Sequence, residues 1–93
     1  MLNKENKLKC GKVINTFPKE HQLMMLMEEL AELIQATSKL VRYGDMEPFM
    51  EEFADVTVMM EQMRQMYHID DGEINKRAEK KLFRALNGRV AHG

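Results

Sequence analysis

The 93-residue chain carries 14 Lys+Arg against 15 Asp+Glu, with one Cys, ten Met and no Trp. That length allows one domain with a modest core. At 31% charged and 44% hydrophobic the composition excludes a disordered chain, and no apolar run longer than Leu23–Met27 excludes a bilayer span. A single Cys excludes an internal disulfide and fits a reducing, cytoplasmic setting, and no secretory signal is visible at the start.

The net charge of −1 hides segregation: residues 1–17 carry +3, residues 18–67 carry −6 and residues 68–93 carry +2. An acidic middle between basic ends is a poor footprint for nucleic acid, which wants one continuous basic surface. Neither a nucleic-acid nor a membrane partner is expected.

Val, Ile and Thr together number only twelve, and no stretch alternates with period two, so strands are not expected. Residues 1–15 form a leading segment with a short helix in prospect, weakened by Gly11. Thr16 is the expected cap of a helix over about 17–43, with Pro18 in its first turn. Leu23, Leu26, Met27, Leu30, Leu33, Ile34, Leu40 and Val41 recur at spacings of three and four and describe its core stripe. Gly44 stops that helix, and Pro48 opens the next, over 47–68. Its stripe runs through Phe49, Phe53, Val56, Met60, Met63 and Tyr67. Asp70 and Glu73 have capping-box spacing ahead of a third helix over 71–87, and 88–93 is a tail. The expected fold is therefore all-α, one antiparallel helical bundle over 1–93. Met25, Met59 and Met66 lie off the two stripes, which points to a second layer of helices from another subunit and a core completed by oligomerisation.

The residues with chemistry in them are acidic. Glu28, Glu29 and Glu32 project from one side of the first long helix within a turn, and Glu52 and Asp55 share a side of the second, beside Glu51. One turn near residue 46 folds the helices antiparallel, so the two sets face each other with an axial offset of about 7 Å. Clustered carboxylates repel and raise one another's pKa unless a cation neutralises them. Ligation by carboxylates alone, without His or Cys, selects hard cations, chiefly Mg²⁺ or Mn²⁺.

Glu28-Glu29-Leu30-Ala31-Glu32 reads EExxE and Glu52-Phe53-Ala54-Asp55 reads ExxD, with nineteen residues between. In that order the two motifs, within HQLMMLMEELAELIQA and EEFADVTVMMEQM, resemble the MazG-like all-α nucleoside triphosphate pyrophosphohydrolases, small phage and bacterial type. The resemblance covers about residues 16–86. It implies a helical bundle assembled as a homodimer or dimer of dimers around a Mg²⁺ site. The implied reaction cleaves a nucleoside triphosphate substrate to the monophosphate and pyrophosphate. By motif position Glu29, Glu32, Glu52 and Asp55 are the implied metal ligands, with Glu28 a further ligand or a group orienting the attacking water. Lys76, Lys80 and Arg84 run i, i+4, i+8 on the last helix, flanked by Arg77 and Lys81, either as a solvated basic face or as a phosphate clamp, for which basic residues after ExxD resemble the family's pattern; Lys39 and Arg42 are lesser candidates. His21 and Gln22, with Phe17 and Met25, precede EExxE and are candidates for the base pocket. Cys10 has no surroundings that mark a nucleophile. The competing reading is a non-catalytic helical dimer that binds nucleotides or proteins.

Overall fold

The computed structural model describes residues 1–88. Four helices follow in order: α1 (Lys4–Thr16), α2 (Lys19–Tyr43), α3 (Met46–Met66) and α4 (Asp71–Leu86). There is no strand among the described residues, so the all-α expectation holds. The expected tail at 88–93 lies outside them beyond Gly88.

Local chemistry sets the boundaries. Asn3 caps α1 by accepting the Asn6 N–H at 2.8 Å. The helix then runs through Gly11, where α1 comes so close to α3 that an added Cβ would sit 3.1 Å from the Gln65 side-chain oxygen. Gly11 is a close-approach residue here, which is why it does not break the helix. Thr16 does not cap α2: it closes α1, its hydroxyl donating to Lys12 O at 2.7 Å, and Pro18 occupies the α2 N-cap. Gly44 adopts φ 72° and ends α2, with its N–H donating to Leu40 O at 2.9 Å. Asp70 does stand at the N-cap of α4 but makes no side-chain capping bond, and Glu73 pairs with Arg77 at 3.0 Å instead.

Across the Gly44–Asp45 link, α2 and α3 pack as a hairpin, and α1 packs on α3. Lys19 at the start of α2 lies over the Tyr67 ring at the end of α3, 5.6 Å from its centroid, as antiparallel helices require. The core is Met59, Met63 and Met66, with Ile14, Leu23, Met25 and Leu26 against it. This corrects two expectations. Met59 and Met66 are buried inside the chain, with Ile14 of α1 and half-buried Met25 packed against them. The stripes read as core are instead turned outward in part: Ile34 is 71% and Val41 80% exposed, and Phe53, Met60 and Tyr67 are exposed too. The two helices meet along a face rotated from those stripes, carrying Gln22, Glu29 and Ala36 on α2 and Glu52, Met59 and Met66 on α3. Each set repeats every seven residues, the spacing that keeps side chains on one seam between paired helices.

Candidate metal centre

That rotation places acids in a packing seam. Glu29 shares its seam position with buried Gln22 and Ala36, and Glu52 shares its position with buried Met59 and Met66. Both glutamates are half-buried, while Asp55 is exposed beside them. One oxygen from each of Glu29, Glu52 and Asp55 lies within 4.8 Å of the others. Oε2 of Glu29 and Oε2 of Glu52 are shut off from solvent with no hydrogen-bond donor. A carboxylate oxygen in that condition is costly unless something positive or protonated meets it.

The electrostatics register the cost. Burial is the main cause pushing the Glu29 carboxyl up to about 7, followed by the charges of Asp55, Glu32 and Glu52 and a hydrogen bond with Asp55 that holds the proton. Glu52 is raised as well, by burial first and then by the charge of Glu32 and a shared hydrogen bond with it. Glu32 is thus a neighbour of Glu52 although it stands outside the tight trio. Glu28 is exposed and does not join the trio.

Charge of the opposite behaviour lies further along α3. Glu61 accepts from Arg64 Nε at 3.0 Å and Arg64 Nη2 at 2.8 Å, and from Gln65 Nε2 at 2.7 Å. The Arg64 hydrogen bonds hold its carboxyl down at about 2 despite partial burial. Gln65 Nε2 also donates to Lys7 O at 2.9 Å, tying α1 to α3. Cys10 is buried in this seam, and burial followed by the charge of Glu61 pushes its thiol up, so it is an inert core residue.

The proposed substrate groups separate into different places. Gln22 is 2% exposed and lies in the seam. His21 is exposed and stacks on Phe17, with ring centroids 5.4 Å apart. Lys76, Lys80 and Arg84 line one shallow surface on α4 with Glu79 and Phe83. Because α4 makes no more than marginal contact with the other helices, the chain's own fold does not bring that basic row onto the carboxylates. Sequence reasoning missed the Glu61–Arg64–Gln65 network, although Glu61 and Arg64 are a helical i, i+3 pair and were legible as such. A largely apolar cleft of about 480 Å³ opens beside α3, lined by Leu2 of the N-terminal segment, Leu33, Phe53, Met60 and Ile74, with Arg64 and Asp71 also on its wall. No helix among the described residues is long and apolar enough to cross a membrane.

Comparison with protein families, curated proteins and solved structures gives no match to this chain.

Proposed function

We propose that the chain is a Mg²⁺-dependent nucleoside triphosphate pyrophosphohydrolase of the MazG-like kind, acting as a homo-oligomer, with Mn²⁺ as a substitute ion. The observation that carries the reading is the convergence of Glu29, Glu52 and Asp55 across the α2–α3 seam, with two of their oxygens sealed and unpartnered. A solvated acidic face would point its oxygens at water and would not spend seam positions on glutamate. The donor set of carboxylates fits a hard divalent cation. Glu32, whose charge is among the causes that raise Glu52, is the proposed fourth ligand.

A divalent cation held there supplies charge to a phosphate group and acidity to the water it carries. The chain's own contribution is to hold the ligands on two packed helices, which fixes their separation, and to exclude solvent on the buried side. Glu28, exposed one residue before the trio's Glu29, is the group this reading assigns to orienting the attacking water. The row Lys76, Lys80 and Arg84 offers cations to the phosphate tail, and it reaches the site from another subunit or by movement of α4.

The separation of that row from the carboxylates is also the observation that favours a second reading, a helical module that binds a metal–nucleotide complex without turnover. Thermal unfolding with and without Mg²⁺ tests the site, and nucleotide hydrolysis tests the activity. Ligand binding to the folded state at one hundred times its Kd adds about 2.7 kcal/mol of stability. A Mg²⁺-dependent rise in Tm that Glu52→Gln abolishes is expected; an equal rise in the wild type and in Glu29→Gln, Glu52→Gln and Asp55→Asn would remove the metal centre. Pyrophosphate release from a panel of NTPs and dNTPs separates the enzyme from the binder.

A further inference from the structure

Four Lys and Arg side chains stand in the α2–α3 hairpin: Lys19, Lys39, Arg42 and Arg64. Three of them are engaged inside the chain. Lys19 lies over the Tyr67 ring and Arg42 over the Tyr43 ring, each 5.6 Å from the centroid. Arg64 is paired with Glu61 at 2.8 Å. Lys39 is exposed, and among the described residues its ammonium group has no ion pair, hydrogen bond or ring contact. Its own helix offers no carboxylate to neutralise it, because the positions three and four away hold Gln35, Ala36, Arg42 and Tyr43.

The same residue faces the side of α2 that carries the acids. At 100° per residue, His21, Glu28, Glu32 and Lys39 fall within about 40° of one another. All four are exposed, on a stripe beside the seam that holds Glu29. Lys39 follows Glu32 by two turns, about 10 Å along the axis. A helical Cα–Cβ bond tilts toward the N-terminus, so the stem of Lys39 starts back toward the carboxylates. It is not spent on them: the charges that raise Glu29 and Glu52 are all those of other carboxylates. Along one face of α2 the chain therefore presents a histidine ring stacked on Phe17, then acids, then an unpaired cation. The basic row of α4 is not brought to those acids by the chain's own fold.

We propose that Lys39 takes the phosphate tail of the substrate, so that a nucleoside triphosphate lies along α2 with its base toward His21 and its terminal phosphates toward Gly44. The proposal rests on the pyrophosphohydrolase reading and sharpens it, because the tail is then held by the same chain that holds the carboxylates. An ammonium recognises phosphate as a compact point charge with three donors, and neither base nor ribose offers it such a partner. A lysine near the end of a helix also suits the macrodipole, but that role is read in stability and not in ligand binding.

Equilibrium dialysis in Mg²⁺ tests the assignment with two probes, inorganic tripolyphosphate and an α,β-methylene nucleoside triphosphate that cannot release pyrophosphate. Lys39→Ala should weaken both about tenfold, and Lys39→Arg should restore most of the loss. Binding of a nucleoside monophosphate, which has no tail, should not change. Thermal unfolding of Lys39→Ala should match the wild type without metal and show the same Mg²⁺-dependent rise in Tm. Wild-type affinity for tripolyphosphate in Lys39→Ala, or a loss confined to Lys80→Ala, would overturn the assignment and leave the metal centre standing. So would an equal loss for the monophosphate, or a metal-free Lys39→Ala protein that is partly unfolded under the dialysis conditions. The hydrolase reading fails separately. A wild type whose Tm ignores Mg²⁺ loses metal centre and tail site together, whereas Lys39-dependent binding without turnover keeps the tail site and removes the enzyme.

Discussion

Glu29 and Glu61 sit on neighbouring stretches of one small fold and respond to protons in opposite ways. Glu61 is held at about 2 by Arg64, below the ordinary glutamate value. Its contribution to stability is present above about pH 4.3 and is lost as pH falls toward 2, where the folded state must take up the proton. Glu29, raised to about 7 chiefly by burial, behaves in reverse. Between about pH 4.3 and 7 the folded chain binds a proton that the unfolded chain has released, so stability falls as pH rises through that window. Without divalent cations the chain should therefore be most stable near pH 5 and lose stability toward pH 8. Urea unfolding across pH 3–8 measures this. Glu29→Gln should flatten the neutral limb and raise Tm at pH 8, while Glu61→Gln should flatten the acid limb. If Glu29→Gln destabilises at pH 8 in the absence of metal, the electrostatic cost assigned to the seam is wrong.

At the scale of elements, the helices and their ends were mostly legible in the sequence, and the faces they bury were not. Gly44, Pro48 and the three- and four-residue spacings mark α2 and α3 within two residues of their observed ends. The spacings misled on orientation in part: Leu23, Leu26 and Met63 of the apolar stripes reach the core, while Ile34, Val41, Phe53 and Met60 of the same stripes stay exposed. The seven-residue repeats Gln22-Glu29-Ala36 and Glu52-Met59-Met66 were present in the sequence, but their polar members do not register when core is sought among apolar residues alone. α1 was doubted because of Gly11, whose role depends on Gln65 far along the chain. His68 was legible only in the structure. It takes φ 53° directly after α3, and Ile69 N–H donates to Arg64 O at 2.9 Å while His68 N–H donates to Gln65 O at 3.4 Å. This is the glycine-favouring left-handed end of a helix, occupied by histidine. His68 is exposed, so His68→Gly should stabilise the chain by about 0.5–1 kcal/mol, read as a higher urea midpoint with an unchanged slope. A lower midpoint would mean that the imidazole makes a stabilising contact.

The whole molecule is a two-helix seam with acids built into it, braced by α1 and extended by a basic helix that its own core does not hold. Met63, buried at the centre of that core, carries much of the packing, and Met63→Ala should cost about 2–5 kcal/mol by chemical denaturation. A cost within a few tenths would show that the methionine cluster is not where the stability lies. The carboxylate trio was legible as two motifs on facing helices. Its partial burial was not, since that follows from the rotation of the seam. In the proposed function, assembly and chemistry would meet at the carboxylates, where a nucleotide would bring phosphates to a bound metal and to the α4 cations. Hydrolysis of a nucleoside triphosphate in ¹⁸O-labelled water with Mg²⁺, followed by mass spectrometry of the products, tests this account most directly. The predicted result is pyrophosphate and nucleoside monophosphate as primary products, with the label in one of them and turnover lost in Asp55→Asn. Orthophosphate as the primary product, or no turnover of any NTP or dNTP by the assembled, Mg²⁺-bound protein, would contradict it.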